Sequence, residues 1–167
     1  AMNDAPENLV SSTWQQSLSP PESIPDRADI VVIGGGIVGV STAWFLAKQG
    51  VNVVLCEKGY IAGEQSGRNW GWVRVQGRDP REIPMVLESI RIWDGLADEI
   101  GEDVGFARGG CTFTANSDKD MKGLADWAEL AKDWDIDTRV LNAKEILELV
   151  PTSGIPWKGA IHTASDG

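Results

Sequence analysis

A chain of 167 residues with 42% hydrophobic and 24% charged residues has the composition of a folded globular protein and can bury a core of useful size. A formal net charge of −10 argues against a nucleic-acid surface, which needs clustered Lys and Arg to neutralise phosphates. No apolar run reaches the roughly 18 residues of a membrane span and no signal-peptide pattern opens the chain, so a cytoplasmic protein is expected, with Cys56 and Cys111 as reduced structural thiols.

In chain order, residues 1–27 are polar and proline-dotted and read as an extended N-terminal arm whose one anchor is Trp14. Residues 28–58 switch from a β-branched run (Ile30 to Ile33) to helical spacing (Ile37, Val40, Ala43, Trp44, Ala47) and back to a strand at Val51 to Leu55. That order is a βαβ unit. Residues 59–81 are rich in Gly and Arg and weakly periodic, so a long ordered loop is expected, and loops of that length commonly serve a site. A helix follows from Glu82 to Leu96, with Pro84 marking its start. The remainder reads as an α+β region. It holds a strand at Cys111 to Ala115, a helix near Lys119 to Asp133 and a strand at Thr138 to Leu141. A short helix capped by Asn142 with Glu145 comes next, then a strand from Trp157 to Thr163. The predicted division is an arm over 1–27, the first part of a nucleotide-binding domain over 28–100, the beginning of a second domain over 101–160, and a return toward the first over 161–167.

The stretch "DIVVIGGGIVGVSTAWFLAKQGVNVVLCEKG" holds a G-x-G-x-x-G motif between strand and helix. Gly34 allows the tight turn, Gly36 lets the backbone approach a pyrophosphate, and Gly39 lets the helix pack against the sheet, with open N–H groups facing the phosphates. Glu57 closes the second strand, where a carboxylate accepts both ribose hydroxyls of an adenosine. Strand, turn, helix, strand and acid together predict dinucleotide binding. The acid suits NAD as well as FAD.

Beyond the bare motif, Ala43, Leu46, Gly50, Val53, Leu55 and Glu57 follow Gly39 at the intervals of a flavoprotein adenine-dinucleotide fold. With "GGGIVG", "LCEKG" and the loop "EQSGRNWGWVR", which carries an S-x-x-N-x-G segment at Ser66, Asn69 and Gly71, the chain resembles the D-amino-acid oxidase and glycine oxidase superfamily of FAD-dependent oxidoreductases. The closest likeness is to its D-amino-acid dehydrogenase-like and amine-oxidising branch, from about residue 28 onward.

The resemblance implies an α/β fold, a Rossmann-like FAD-binding βαβ domain with the beginning of an α+β substrate domain. It implies FAD as cofactor, bound by Gly34, Gly36, Ile37, Val38, Gly39, Glu57, Lys58, Ser66, Gly67, Arg68, Asn69 and Gly71. It also implies oxidation of an amino acid or other amine by hydride transfer to flavin N5, giving an imine that is hydrolysed. Electrons then pass to oxygen or another acceptor.

Two strands are fewer than half of the five or six that such a sheet needs. A second chain or C-terminal fragment is therefore expected to complete the fold, and no catalytic residue is assigned. An NAD-dependent dehydrogenase, or a non-catalytic FAD-binding subunit of a heteromeric dehydrogenase, is the alternative. The "QSGRNWG" loop speaks against NAD.

Other side chains have plainer readings. His162, the single histidine, is read as structural, and Asp133 and Asp135 as a solvated turn. Trp44, Trp93, Trp127 and Trp134 fall at packing positions, and Trp70 and Trp72 are expected to fill core space rather than border a flavin. Arg68, Arg74 and Arg78 stand between a solvated loop and a functional one. No metal site is expected.

Overall fold

The computed structural model describes residues 24–151 and 154–167; most of the expected arm, with Trp14, lies outside the described residues. Its elements are β1 (Ile30–Ile33), α1 (Ile37–Lys48), β2 (Val53–Cys56), α2 (Ile83–Ile100), β3 (Cys111–Ala115), α3 (Asp118–Lys132), β4 (Thr138–Leu141), α4 (Ala143–Leu149) and β5 (Gly159–Thr163). Internal contacts divide the chain into two compact units, one ending at Trp70 and the other starting at Gly71. The sequence reading draws its line at residue 100, whereas this division leaves α2 among the elements of the second unit.

The first unit is the βαβ motif. β1 and β2 pair in parallel, Ile30 opposite Val53 and Ile33 opposite Cys56. The β-branched run of β1 suits a strand covered on both faces, yet Val31 is 56% and Ile33 87% exposed among the described residues. α1 is apolar on most of its circumference and buries none of its residues fully. Trp44 on this helix is accordingly exposed, against the packing role expected of it.

The second unit carries the larger core. α2 starts at the N-cap Glu82 with Pro84 in its first turn, where a missing N–H has no helical acceptor to lose. It runs past the expected Leu96 to Ile100, because the helix stop is Gly101, left-handed at φ 78°, whose N–H donates to the Ala97 carbonyl. Its apolar stripe places Ile83 and Ile90 against Val75, Ala131 and Ile136. Each such aliphatic side chain withdrawn from water contributes about 1.5–3 kcal/mol.

α3 is capped by Ser117, whose hydroxyl accepts the Asp120 N–H, with acids in its first turn and Lys132 in its last, as the helix dipole favours. Asn142 and Glu145 form the expected reciprocal capping box of α4. β5, last in sequence, is the middle strand of an antiparallel sheet ordered β3-β5-β4, with Thr112, His162 and Arg139 in one row across it.

Asp133 and Asp135 lie exposed in the turn after α3, as expected, with Asp135 at a positive φ of 55°. Trp127 packs on the core and its indole N–H donates to the Arg78 carbonyl at 3.0 Å. Trp93 stands against Phe106, ring centroids 5.8 Å apart. Trp134 departs from expectation. It is exposed, because it sits in the same turn as the two acids, beyond the end of the packed face. His162 is part-buried and its Nδ1 shares a 2.8 Å hydrogen bond with the Thr112 hydroxyl, a structural tie within the sheet.

Candidate nucleotide-binding site

The strand-to-helix turn of the first unit is shaped by contacts that only glycine satisfies. Gly34 has a positive φ of 110°. A Cβ on Gly39 would fall 1.9 Å from the Gly34 carbonyl oxygen, so the helix approaches the turn as closely as a hydrogen side chain permits. A Cβ on Gly36 would meet the Ser66 hydroxyl at 3.0 Å.

α1 begins at Gly36, which supplies no side-chain cap. Of the N–H groups at this end, that of Ile37 donates to Ser66 Oγ at 2.9 Å, whereas those of Gly36, Val38 and Gly39 donate to nothing among the described residues. Ile37 and Val38 are themselves exposed. Open N–H groups at the positive end of a helix form an anion cradle.

Glu57, directly after β2, reaches back over this turn. One carboxylate oxygen accepts the Gly35 N–H at 2.7 Å and the other the Gly59 N–H at 2.8 Å. These two backbone donors, Gly35 first, hold its carboxyl below the usual range and keep it charged. A carboxylate has about four lone-pair sites, so two remain for hydroxyl donors. The Gly35 peptide is held at both ends, since its carbonyl accepts the Ala62 N–H at 2.9 Å. The residues flanking Glu57 thus tie turn, acid and following loop into one frame.

The loop after β2 folds over on itself and includes a single 3-10 turn at Gln65–Gly67. Gly67 packs so tightly that a Cβ would lie 2.3 Å from the Ala62 carbonyl oxygen. The Asn69 side-chain amide donates to the Ser66 carbonyl, and Gly71 has a left-handed φ of 75°. Lys58 and Arg68 both pair with Glu64, Lys58 at 3.1 Å. Arg68 is therefore partly neutralised within its own loop. Glu64, which sequence reasoning left unremarked, is the shared counter-ion; nothing in its spacing marks it.

Trp70 and Trp72 are 83% and 52% exposed, which corrects the expectation that they fill the core; they stand on the irregular stretch between the 3-10 turn and α2. Of the expected cofactor residues, Gly34, Gly36, Ile37, Val38, Gly39, Glu57 and Ser66 are brought together around the turn. Lys58, Gly67, Arg68, Asn69 and Gly71 build the adjoining loop. The described residues hold no cluster of three or more metal-ligating side chains and no helix long and apolar enough to cross a membrane.

Comparison with known proteins assigns this arrangement a family. The model of the family DAO, FAD dependent oxidoreductase, matches residues 29–167. The beta chain of sarcosine oxidase from Rhodobacter capsulatus is 29% identical over 146 residues, which cover 86% of this chain and 35% of that protein. N-methyl-L-tryptophan oxidase of Escherichia coli is 27% identical over 134 residues, which cover 78% of this chain and 35% of its own length. The chain thus spans well under half of these curated relatives. Among solved structures, L-amino acid deaminase from Proteus myxofaciens superposes with a TM-score of 0.81 at 29% identity, over 86% of this chain and 33% of that one.

Proposed function

The chain belongs to the DAO family of FAD-dependent oxidoreductases, and from that premise we propose that it supplies the dinucleotide-binding part of an enzyme that oxidises an amino acid or other small amine. The observation that carries this reading is the open N-terminal end of α1, with Glu57 tied to the same turn.

The chain's own residues perform three tasks in it. The N–H groups of Gly36, Val38 and Gly39 hold the pyrophosphate oxygens, with the Ser66 hydroxyl on the neighbouring Ile37 N–H keeping the loop against the helix end. The Glu57 carboxylate, oriented by the Gly35 and Gly59 N–H groups, accepts the ribose hydroxyls through its free lone pairs. The 3-10 turn, fixed by Gly67 and Asn69, lays the loop from Ser66 to Gly71 along the remainder of the cofactor. FAD, when bound, supplies the acceptor for the hydride leaving the carbon next to the amine nitrogen, so that the amine becomes an imine which water hydrolyses.

The exposed apolar residues of β1 support a further part of the protein, in the same or a second chain, lying over this sheet. The likeness to one component of a heteromeric sarcosine oxidase favours a multi-subunit assembly. The test is spectroscopic. The intact protein is expected to show flavin absorption bands that bleach on anaerobic addition of one member of a panel of amino acids and secondary amines. A colourless protein that binds only a nicotinamide nucleotide refutes the assignment.

A further inference from the structure

The alternation of side chains along β3, β5 and β4 gives the antiparallel sheet of the second unit two unlike surfaces. On one of them Ala160 and Leu141 lie side by side, and Ile146 of α4 and Trp157 pack over them. Two residues further along β5, on the same surface, Thr112, His162 and Arg139 stand in register across the three strands. This row is not sealed into the core, since Thr112 and His162 are part-buried and Arg139 is exposed.

Each member of the row has a donor or an orienting task. The Thr112 hydroxyl and His162 Nδ1 share their 2.8 Å hydrogen bond, which fixes the ring; with Thr112 as the donor, a neutral imidazole carries its proton on Nε2. Nε2 has no partner among the described residues. The ring edge lies against Gly110, where an added Cβ would stand 2.6 Å from Cε1 and 3.1 Å from Nε2, so a glycine at φ 77° leaves the imidazole its place. Arg139 faces His162 from the outer strand, at the Cβ separation of about 4.5–5.5 Å usual for directly opposed residues.

Arg78, Arg81, Arg91 and Arg108 of this unit each pair with a carboxylate, whereas Arg139 pairs with none among the described residues, in a chain of 25 acidic and 15 basic residues. Asp137, just ahead of β4, is engaged elsewhere. Its Oδ1 accepts the Ser165 N–H at 3.3 Å and the Ser165 hydroxyl at 2.6 Å, and it lies within the field of Arg108. Two facing donors gain from their register only when an acceptor joins them. An arginine fork that takes two oxygens and a ring N–H that takes a third suit a tetrahedral oxyanion, where a carboxylate offers two oxygens.

We propose that Thr112, His162 and Arg139 form a binding site for a phosphate dianion, free or as a monoester. The Arg139 guanidinium takes two of its oxygens, His162 Nε2–H a third, and Thr112 holds the ring in the orientation this needs. The site uses no residue of the nucleotide turn and stands whether or not the protein binds FAD.

The experiment titrates the intact protein, saturated with FAD so that the nucleotide turn does not compete, with inorganic phosphate, methyl phosphate and acetate at constant ionic strength. The readout is the imidazole C–H and nitrogen resonances of His162, assigned by their loss in His162→Gln, with calorimetry alongside. Inorganic phosphate is expected to shift these resonances saturably and acetate to leave them in place. Methyl phosphate moving them as well assigns the site to phosphate monoesters, and methyl phosphate excluded restricts it to the free ion. Arg139→Gln should weaken phosphate by about tenfold, the lower end for a lost charge-assisted contact at an exposed position, and Arg139→Lys, which keeps the charge without the fork, should recover part of the loss. Thr112→Val should weaken it less than Arg139→Gln does. His162 resonances that phosphate leaves unmoved, an equal response to acetate, or an affinity unaltered by Arg139→Gln each overturn the proposal. Should His162→Gln or Thr112→Val fail to fold, Arg139→Gln, at an exposed position on an outer strand, decides the matter by calorimetry against the same outcomes.

Discussion

Replacing Gly39 by alanine adds one methyl group and tests the closest approach in the dinucleotide turn. The new Cβ would sit 1.9 Å from the Gly34 carbonyl oxygen, 3.0 Å from its carbon and 3.5 Å from Val32 Cγ1. A close C···O contact is about 3.3 Å, so helix and turn must separate by more than an ångström, and both obstructing atoms at the turn are backbone. Overpacking of this kind costs about 3 kcal/mol at the upper end of its ordinary range, while alanine in a helix interior regains about 1 kcal/mol over glycine. The net expectation is a loss of about 2 kcal/mol, or roughly 4–8 °C in the melting temperature of a domain of 150–250 residues. The displaced α1 N-terminus should also lower flavin occupancy. Differential scanning calorimetry and the absorbance ratio of the purified variant measure the two effects. A Gly39→Ala protein that melts with the wild type and carries its full flavin refutes the argument that helix and turn meet at this glycine.

Gly95→Ala provides the opposite sign, because Gly95 is exposed inside α2 with nothing within 4 Å of an added Cβ; a gain of about 0.5–1 kcal/mol is expected in denaturant unfolding. Asn142→Ala removes the acceptor of the Lys144 and Glu145 N–H groups and should cost about 1 kcal/mol by the same measurement. Glu57→Gln is expected to weaken FAD about tenfold in a flavin titration. It should also flatten the acid limb of stability. The Gly35 and Gly59 N–H groups hold the Glu57 carboxyl below its ordinary 4.5, so its contribution is present above that pH and lost as pH falls through the lower folded value. The wild type should therefore lose melting temperature more steeply below pH 4.5 than the variant does.

Much of this molecule is written in short-range signals. The G-x-G-x-x-G turn, the bounds of β3 and β4 and the capping of α4 by Asn142 follow from residues within a few positions of one another, where backbone geometry and hydrogen-bond chemistry act without help from the rest of the fold. Gly34 and Gly39 are legible for the same reason, since each answers a steric demand within the turn itself, whereas the atom that an added Cβ on Gly36 would meet belongs to the distant Ser66. What tertiary structure alone decided involves partners far apart in sequence. Glu57 taking the Gly35 N–H, 22 residues away, depends on the parallel register that sets Ile33 beside Cys56. β5 becomes a central strand, and Asp166 reaches Val75 across 91 residues, because burial demands a partner for every backbone N–H that leaves water, wherever in the chain that partner lies. The exposed tryptophans make the same point in reverse. Apolar spacing tells that a face wants cover, and only the packed structure tells which faces, in these residues, receive it.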